Sequence, residues 1–491
     1  MRRTDLPIEL GPVSNGEYAP PPTGPVAREA ARRALAAVDE GARRTGMSRR
    51  RFLQLCGTAT VLSALAACSR EQAAVQGTTT TTTSSTSSTT TTSTAPGGTF
   101  EVPDEATVEP EAAEEALDGQ EFVVDVQTHL LEFDLDTPAG GFFGGGFPQA
   151  SCGLDDPRSC FSIDQWIALV LEQSDTAVAV LSAVPIVDDP SPLSTEVMER
   201  ARREAEAVGC DGRVLLQGEA FPTTGEPEAV FDGMAALATD HDIVAWKTYT
   251  HVGTGWYLDD HDPDAAQVGQ RFLDQVRELG TPMVAVHKGF GNNRFASPVD
   301  IGPAAAANPD LSFLVYHSGY QPGVAEGAYD PAAPNAGIDR LLASVEGAGI
   351  GPGGNVYAEL GSTWFNVLRD PTEAAHVIGK LLATFGPERI LWGTDSIWYG
   401  SPQSQIEAFR AFQISPELQE RHGYPALTDE VKSLILGGNA ARLHGIEAPT
   451  CAPTTPSDES AAPNRALGPA TAAEAREVFS AHHPWWSTTP V

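Results

Sequence analysis

The chain has 491 residues, 41% of them hydrophobic, with eight tryptophans and a formal net charge of −34. That apolar content supplies a large core and excludes a chain that is disordered throughout, and so acidic a surface excludes nucleic acid as a partner, because one polyanion repels another. The length suits two or three average domains, or one large α/β barrel with long appendages.

In chain order, the first feature is "SRRRFLQLCGTATVLSALAACS". Arg49 and Arg50, then Phe52 and Leu53, an apolar run and "LAAC" ending at Cys68 have the order of a twin-arginine export signal with a lipoprotein processing site. The run is too short, and too rich in Gly, Thr and Ser, to span a bilayer permanently. Residues 1–67 therefore read as an upstream segment plus a removable signal. Cys68 reads as the lipidation site, where two or more acyl chains anchor a protein stably. This predicts an exported protein, anchored as a lipoprotein at the outer face of the cytoplasmic membrane or cell envelope. Met47, directly before Ser48, reads as an alternative start, which would leave residues 1–46 outside the protein.

The tract "GTTTTTTSSTSSTTTTSTAPGG" and the acidic stretch after it have little to bury, so 68–118 is expected to be a disordered tether. Cys152 and Cys160 are close enough for a loop disulfide in an oxidising compartment. No CxxC pair is present, so a structural zinc ribbon is not expected.

From residue 119 short apolar runs alternate with helical stretches. The expected strands are "EFVVDVQTHL", "TAVAVLSAV", "RVLLQGEAF", "DIVAWKTYT", "TPMVAVHKG", "LSFLVYHSG", "NVYAELGS" and "RILWGTDS". Helical patterns such as "STEVMERARREAEAVG" and "PTEAAHVIGKLLATFG" fall between them. Eight β-then-α units predict an α/β fold, a (β/α)8 TIM barrel over 119–446. Residues 447–491 read as a linker and a short C-terminal tail.

In such a barrel the active site is built at the C-terminal ends of the strands. The polar residues there are Gln127 and His129 on the first strand, Lys247 on the fourth, His287 on the fifth, His317 on the sixth, Glu359 and Ser362 on the seventh and Asp395 on the eighth. His129, His287 and Asp395 are the imidazole and carboxylate donors a catalytic divalent metal takes, and His317 is left as a base or a ligand. Asp125, Gln127 and His129 share one face of their strand. Gln127 is a weak ligand: its amide oxygen lacks both the charge of a carboxylate and the affinity of imidazole for transition metals.

"DVQTHL", "VAVHKG", "VYHSGY", "LWGTDS" and "LILGGNAARLHGI" resemble the successive motifs of the amidohydrolase superfamily, closest to its amidohydrolase-2 branch, over residues 121–446. The resemblance implies a (β/α)8 barrel that hydrolyses C–N or C–O bonds or decarboxylates an aromatic or enol-like acid. It implies His129, His287 and Asp395 as metal ligands, with Gln127 as a weak fourth. His317 and Asp395 are then the catalytic pair, and Lys247 the partner of a substrate carboxylate. One divalent metal, zinc by expectation, is implied, although lactonase-like members of the branch work without any. Glu359 and Trp256 are further candidates for substrate contact.

The expected activity is metal-assisted hydrolysis of a small organic substrate, aromatic or a lactone or amide. A decarboxylase on the same site and a non-catalytic surface-binding lipoprotein are the alternatives. The Gly- and Phe-rich segment 137–149 reads as an apolar lid, and "THVGTGWYLDDHDP" adds His251, Trp256, Tyr257 and His261 near the mouth.

Overall fold

The structure is a computed structural model. It describes residues 6–14, 18–78, 97–136, 147–186, 191–208, 212–290, 293–334 and 336–446. The expected lid therefore lies outside the described residues except for 147–149, as do the Thr/Ser tract from 79 and the C-terminal tail.

Eight parallel strands form one sheet in chain order: β2 (Val123–Thr128), β3 (Thr176–Leu181), β4 (Val214–Glu219), β5 (Ile243–Tyr249), β6 (Met283–His287), β7 (Ser312–Tyr316), β8 (Val356–Glu359) and β9 (Ile390–Leu391). The last strand returns to the first. Val126 N–H donates to Trp392 O at 3.1 Å, Asp395 N–H to Gln127 O at 2.9 Å and His129 N–H to Ser396 O at 2.6 Å, which closes the barrel. All eight expected strands are present. They form because each is a short run of β-branched and other apolar residues buried on both sides, as parallel strands require.

Side chains of the strands pack on one another in one cluster that includes Val124, Val126, Val178, Val180, Ala285, Leu314, Tyr316 and Leu391. A larger cluster joins the strands to the surrounding helices. The helix Pro371–Phe385 shows why these helices start where they do: Asp370 accepts hydrogen bonds from Thr372 N–H and Glu373 N–H, and proline stands in the first turn. Cys152 and Cys160 are joined in a disulfide.

The N-terminal region is helical. Residues 25–78 form two helices, α1 (Pro25–Thr45) and α2 (Arg49–Thr78), packed together. Their approach is so close that a Cβ on Gly41 would sit 2.2 Å from the Phe52 ring. Leu6, Ile8, Leu10 and Val13 are buried. Helix α2 runs through the expected boundary at residue 68 without a break, and Cys68 is 4% exposed.

Residues 98–117 are not a tether either. Strand β1 (Gly98–Phe100) pairs antiparallel with β10 (Phe412–Ile414), and α3 (Pro110–Leu117) buries Ala113 and Leu117. The reason is the same in both places. A weakly apolar stretch gains more from covering a barrel's outer helices than from water, and composition alone does not reveal that a covering surface exists. Among the described residues one helix is long and apolar enough to cross a membrane, Arg49–Val75, and 67% of its most apolar window is buried inside the chain.

Candidate active site

The strand ends of the barrel bring five of the expected residues together. Gln127 sits at the centre: its Nε2 lies 2.9 Å from Asp395 Oδ1 and 3.4 Å from Nε2 of both His129 and His317. Its Oε1 is buried and accepts no hydrogen bond among the described residues. Asp125, one strand repeat deeper, accepts from the Gln127 and Thr394 N–H groups at 3.1 Å each and from the Thr394 hydroxyl. Burial pushes the Asp125 carboxyl up to about 7.

His129 and His317 each have one nitrogen fixed by a carbonyl. His129 Nδ1 donates to Ser182 O at 2.6 Å, which turns Nε2 toward Asp395 Oδ1 at 3.0 Å. His317 Nδ1 donates to Gly361 O at 2.7 Å, which leaves Nε2 as an acceptor, 3.1 Å from His287 Nδ1. Burial lowers His317 to about 4 and His287 well below its ordinary value, so both rings are neutral near pH 7. Burial alone would raise Asp395, but hydrogen bonds from His129 and Ser362 and the charge of nearby histidines outweigh it and hold the carboxyl well below the usual range.

Several site residues are held in left-handed backbone. Phe290, His317, Ser362 and Asp395 have φ of 53°, 66°, 52° and 62°. Such conformations are costly for non-glycine residues and gather where function requires a side chain to be aimed.

The chemistry of the donor set fits a cation. His129, its Nδ1 held by Ser182 O, turns Nε2 to the same place as Asp395 Oδ1. Two such groups at 3.0 Å require a proton or a metal ion between them. The buried, unpaired Gln127 Oε1 is a third oxygen of the same cluster, and exchanging the two ends of the amide would turn it inward. With the amide nitrogen inward, no group of three or more His, Cys, Asp or Glu among the described residues is already arranged around a cation position.

Two expected substrate contacts are corrected. Glu359 is fully buried and accepts from His317 N–H at 2.8 Å and Gly361 N–H at 2.6 Å, so it braces the loops that carry His317 and Ser362. Burial raises its carboxyl to about 8. Trp256 is a core residue, fully buried with its ring edge-on to Phe272 at 5.5 Å. Glu359 is taken up by backbone N–H groups and Trp256, in the loop after β5, by the core. Lys247 is also fully buried, its Nζ 3.7 Å from the Tyr316 ring centroid and 4.8 Å from that of Tyr249.

Two residues that the sequence did not single out, Trp398 and Tyr399, enter the site beside ones that it did. Trp398 stacks on His129 at 5.0 Å and 11°, and Phe147 packs on Trp398 at 4.7 Å, which makes one wall aromatic. His251 is half-buried with its ring 4.8 Å from that of His287, and desolvation lowers it to about 3. The Ser362 hydroxyl donates to Asp395 Oδ2 and lies 2.7 Å from Tyr399 Oη. Trp398 and Tyr399 directly follow the "GTDS" motif, and that adjacency was the available signal.

The amidohydrolase family model Amidohydro_2 matches residues 124–446. No curated protein matches the chain by sequence. Among solved structures, 5-carboxyvanillate decarboxylase LigW from Sphingomonas paucimobilis is 12% identical over 67% of this chain and 100% of its own, with a TM-score of 0.38. A 2,6-dihydroxybenzoate decarboxylase is 15% identical over 67% of this chain and 99% of its own, at 0.40. Amidohydrolase 2 from Bifidobacterium longum subsp. infantis is 15% identical over 67% and 100%, at 0.35.

Proposed function

The chain belongs to the Amidohydro_2 amidohydrolase family and is an enzyme of that type, and from that premise we propose that it hydrolyses an ester, lactone or amide bond in a small, largely apolar organic molecule. The observation that carries this reading is the juxtaposition of a neutral His317, whose Nε2 is an acceptor, and an ionised Asp395, both joined to the Gln127 amide in one buried cluster.

The residues divide the work by protonation state. His317 Nε2, fixed as an acceptor by the bond from Nδ1 to Gly361, takes a proton from the attacking water and returns it to the leaving group. Asp395 keeps its charge because His129 and Ser362 donate to it, and it orients the water by accepting its second hydrogen. The Gln127 amide can donate to, or accept from, whatever occupies the centre. Phe147 and Trp398 exclude water from one side and favour a flat apolar substrate. His129, His287 and Asp395 are the residues that would hold a divalent ion, zinc by expectation, and it would supply Lewis acidity toward the scissile carbonyl.

A second reading, decarboxylation, is favoured by Lys247. A fully buried ammonium whose charge bears on His287 and His317 is suited to receive a substrate carboxylate. The deciding experiment incubates the full chain, with and without added zinc, with p-nitrophenyl acetate, dihydrocoumarin and 2,6-dihydroxybenzoate. Release of nitrophenol or opening of the lactone supports hydrolysis. Carbon dioxide from the benzoate alone supports the second reading, and no turnover of any sinks both.

A further inference from the structure

The disulfide stands behind the aromatic wall of the site. Cys152 and Cys160 close a loop between two short helical turns, Pro148–Ser151 and Pro157–Phe161. Both turns bear on Trp398. Phe147, the residue before the first turn, has its ring 4.7 Å from that of Trp398, and Phe161, which ends the second, has its ring 6.0 Å away. Gln149 N–H donates to Trp398 O at 3.1 Å, and Gln149 Nε2 donates to Cys160 O at 2.8 Å. Trp398 in turn stacks on His129 at 5.0 Å.

The second turn is tied to the chain that follows β2. Phe161 O accepts from Leu131 N–H at 2.8 Å, and the Arg158 guanidinium donates to Asp134 O at 2.9 Å and Leu135 O at 3.1 Å. The first turn, beside Phe147, is joined to the second by the disulfide, by Gln149 Nε2 and by the Phe147–Phe161 contact at 5.8 Å. The bridge therefore couples one side of the wall to the body of the barrel, and it removes conformations that the reduced chain would explore. Cys160 is fully buried, whereas Cys152 is half-buried beside the exposed residues 153–155, so a thiolate reaches the bridge at Cys152.

We propose that this disulfide is a redox-sensitive positioning element of the substrate wall: intact, it holds Phe147 and Trp398 in place for substrate, and cut by a dithiol it lets the wall loosen. One thiolate of the dithiol attacks Cys152 Sγ, the S–S bond breaks and Cys160 leaves as the thiolate. The second thiol of the dithiol then displaces Cys152, so two electrons and two protons pass to the protein and the dithiol becomes a cyclic disulfide. The enzyme reaches its full substrate affinity in an oxidising compartment. The proposal rests on the proposed hydrolysis only for its rate measurement.

The test compares the oxidised full chain, the same chain reduced with dithiothreitol, and Cys152→Ser/Cys160→Ser, each with dihydrocoumarin. Ordering two loosened side chains on binding costs several-fold each, so KM is expected to rise about 10-fold in the reduced chain and in the double variant, with kcat within about 3-fold. Reoxidation with oxidised glutathione should restore the KM of the reduced chain, which a loop that only adds stability would not produce. The dithiol should leave the double variant unchanged. An equal dithiol effect on that variant would assign the loss to metal taken by the thiol and overturn the proposal, as would a KM of the variant within about 2-fold of the oxidised parent. Should the wild-type protein fail to open the lactone, the hydrolysis reading fails, and hydrogen exchange then decides, as it does if the double variant does not fold. Faster exchange in the reduced chain at both 147–152 and 396–400 supports the proposal. Exchange that is unchanged, or faster only within 147–161, overturns it.

Discussion

The side-chain amide nitrogen of Gln127 lies 2.9 Å from Oδ1 of Asp395, although the two residues are 268 positions apart. It also lies 3.4 Å from Nε2 of both His129 and His317, so a neutral amide stands at the point on which the polar groups of the site converge. Gln127→His replaces that amide with an imidazole, which transition metals prefer. The variant is expected to bind zinc about 10-fold more tightly than the parent. Competition with a chelator, using protein first stripped of metal, measures this, and equal affinities would show that the side chain at 127 does not face the ion.

Asp395 is held ionised by His129 and Ser362. Asp395→Asn keeps the shape but removes the charge and one acceptor. Turnover of whichever ester or lactone the wild type accepts is expected to fall by about 10²–10⁴, the usual contribution of a positioned acid–base group. A loss under about 2-fold in a variant that melts normally would remove Asp395 from the reaction.

Trp256 fills the core beside Phe272 rather than touching substrate. Trp256→Ala is expected to cost about 3–5 kcal/mol of stability, measured by urea unfolding. KM of the protein that remains folded should stay within about 2-fold of the parent. A raised KM with normal stability would return Trp256 to the substrate wall.

Asp125 gives a pH signature. Its folded carboxyl holds a proton up to about 7, whereas the unfolded chain releases it near 3.8. The folded state therefore binds more protons across that window, and stability falls as pH rises through it. Asp125→Asn removes the titration and can keep the bonds from Gln127 and Thr394. The midpoint of the wild type, relative to this variant, is expected to drop between pH 5 and 7 and to level off above. A constant difference across that range would contradict a shared proton at Asp125.

The barrel was legible in the residues themselves. Eight apolar runs of strand length, separated by helical patterns, leave few other architectures, and a polar residue closing such a run lands at the mouth. His129, His287, His317 and Asp395 were found that way. Glu359 was misread by the same rule, because position at a strand end fixes where a residue stands and not what its side chain binds, and Trp256, read from the loop after the fourth expected strand, fills the core instead. The apolar run of α2 shows a further limit: a signal, a membrane helix and a helix lying on a barrel have similar composition, and they differ in the surface that covers them.

Sequence alone therefore determined what local pattern can determine: the number and order of strands, and the chemical types gathered at their ends. Tertiary structure decided the rest. It set the amide of Gln127 among polar groups from three strands, turned Glu359 onto backbone N–H groups, and brought Tyr18 against Phe290 across most of the chain. The physical reason is that strand periodicity is written in neighbouring residues, whereas hydrogen-bond direction and burial depend on groups that meet only when the barrel closes.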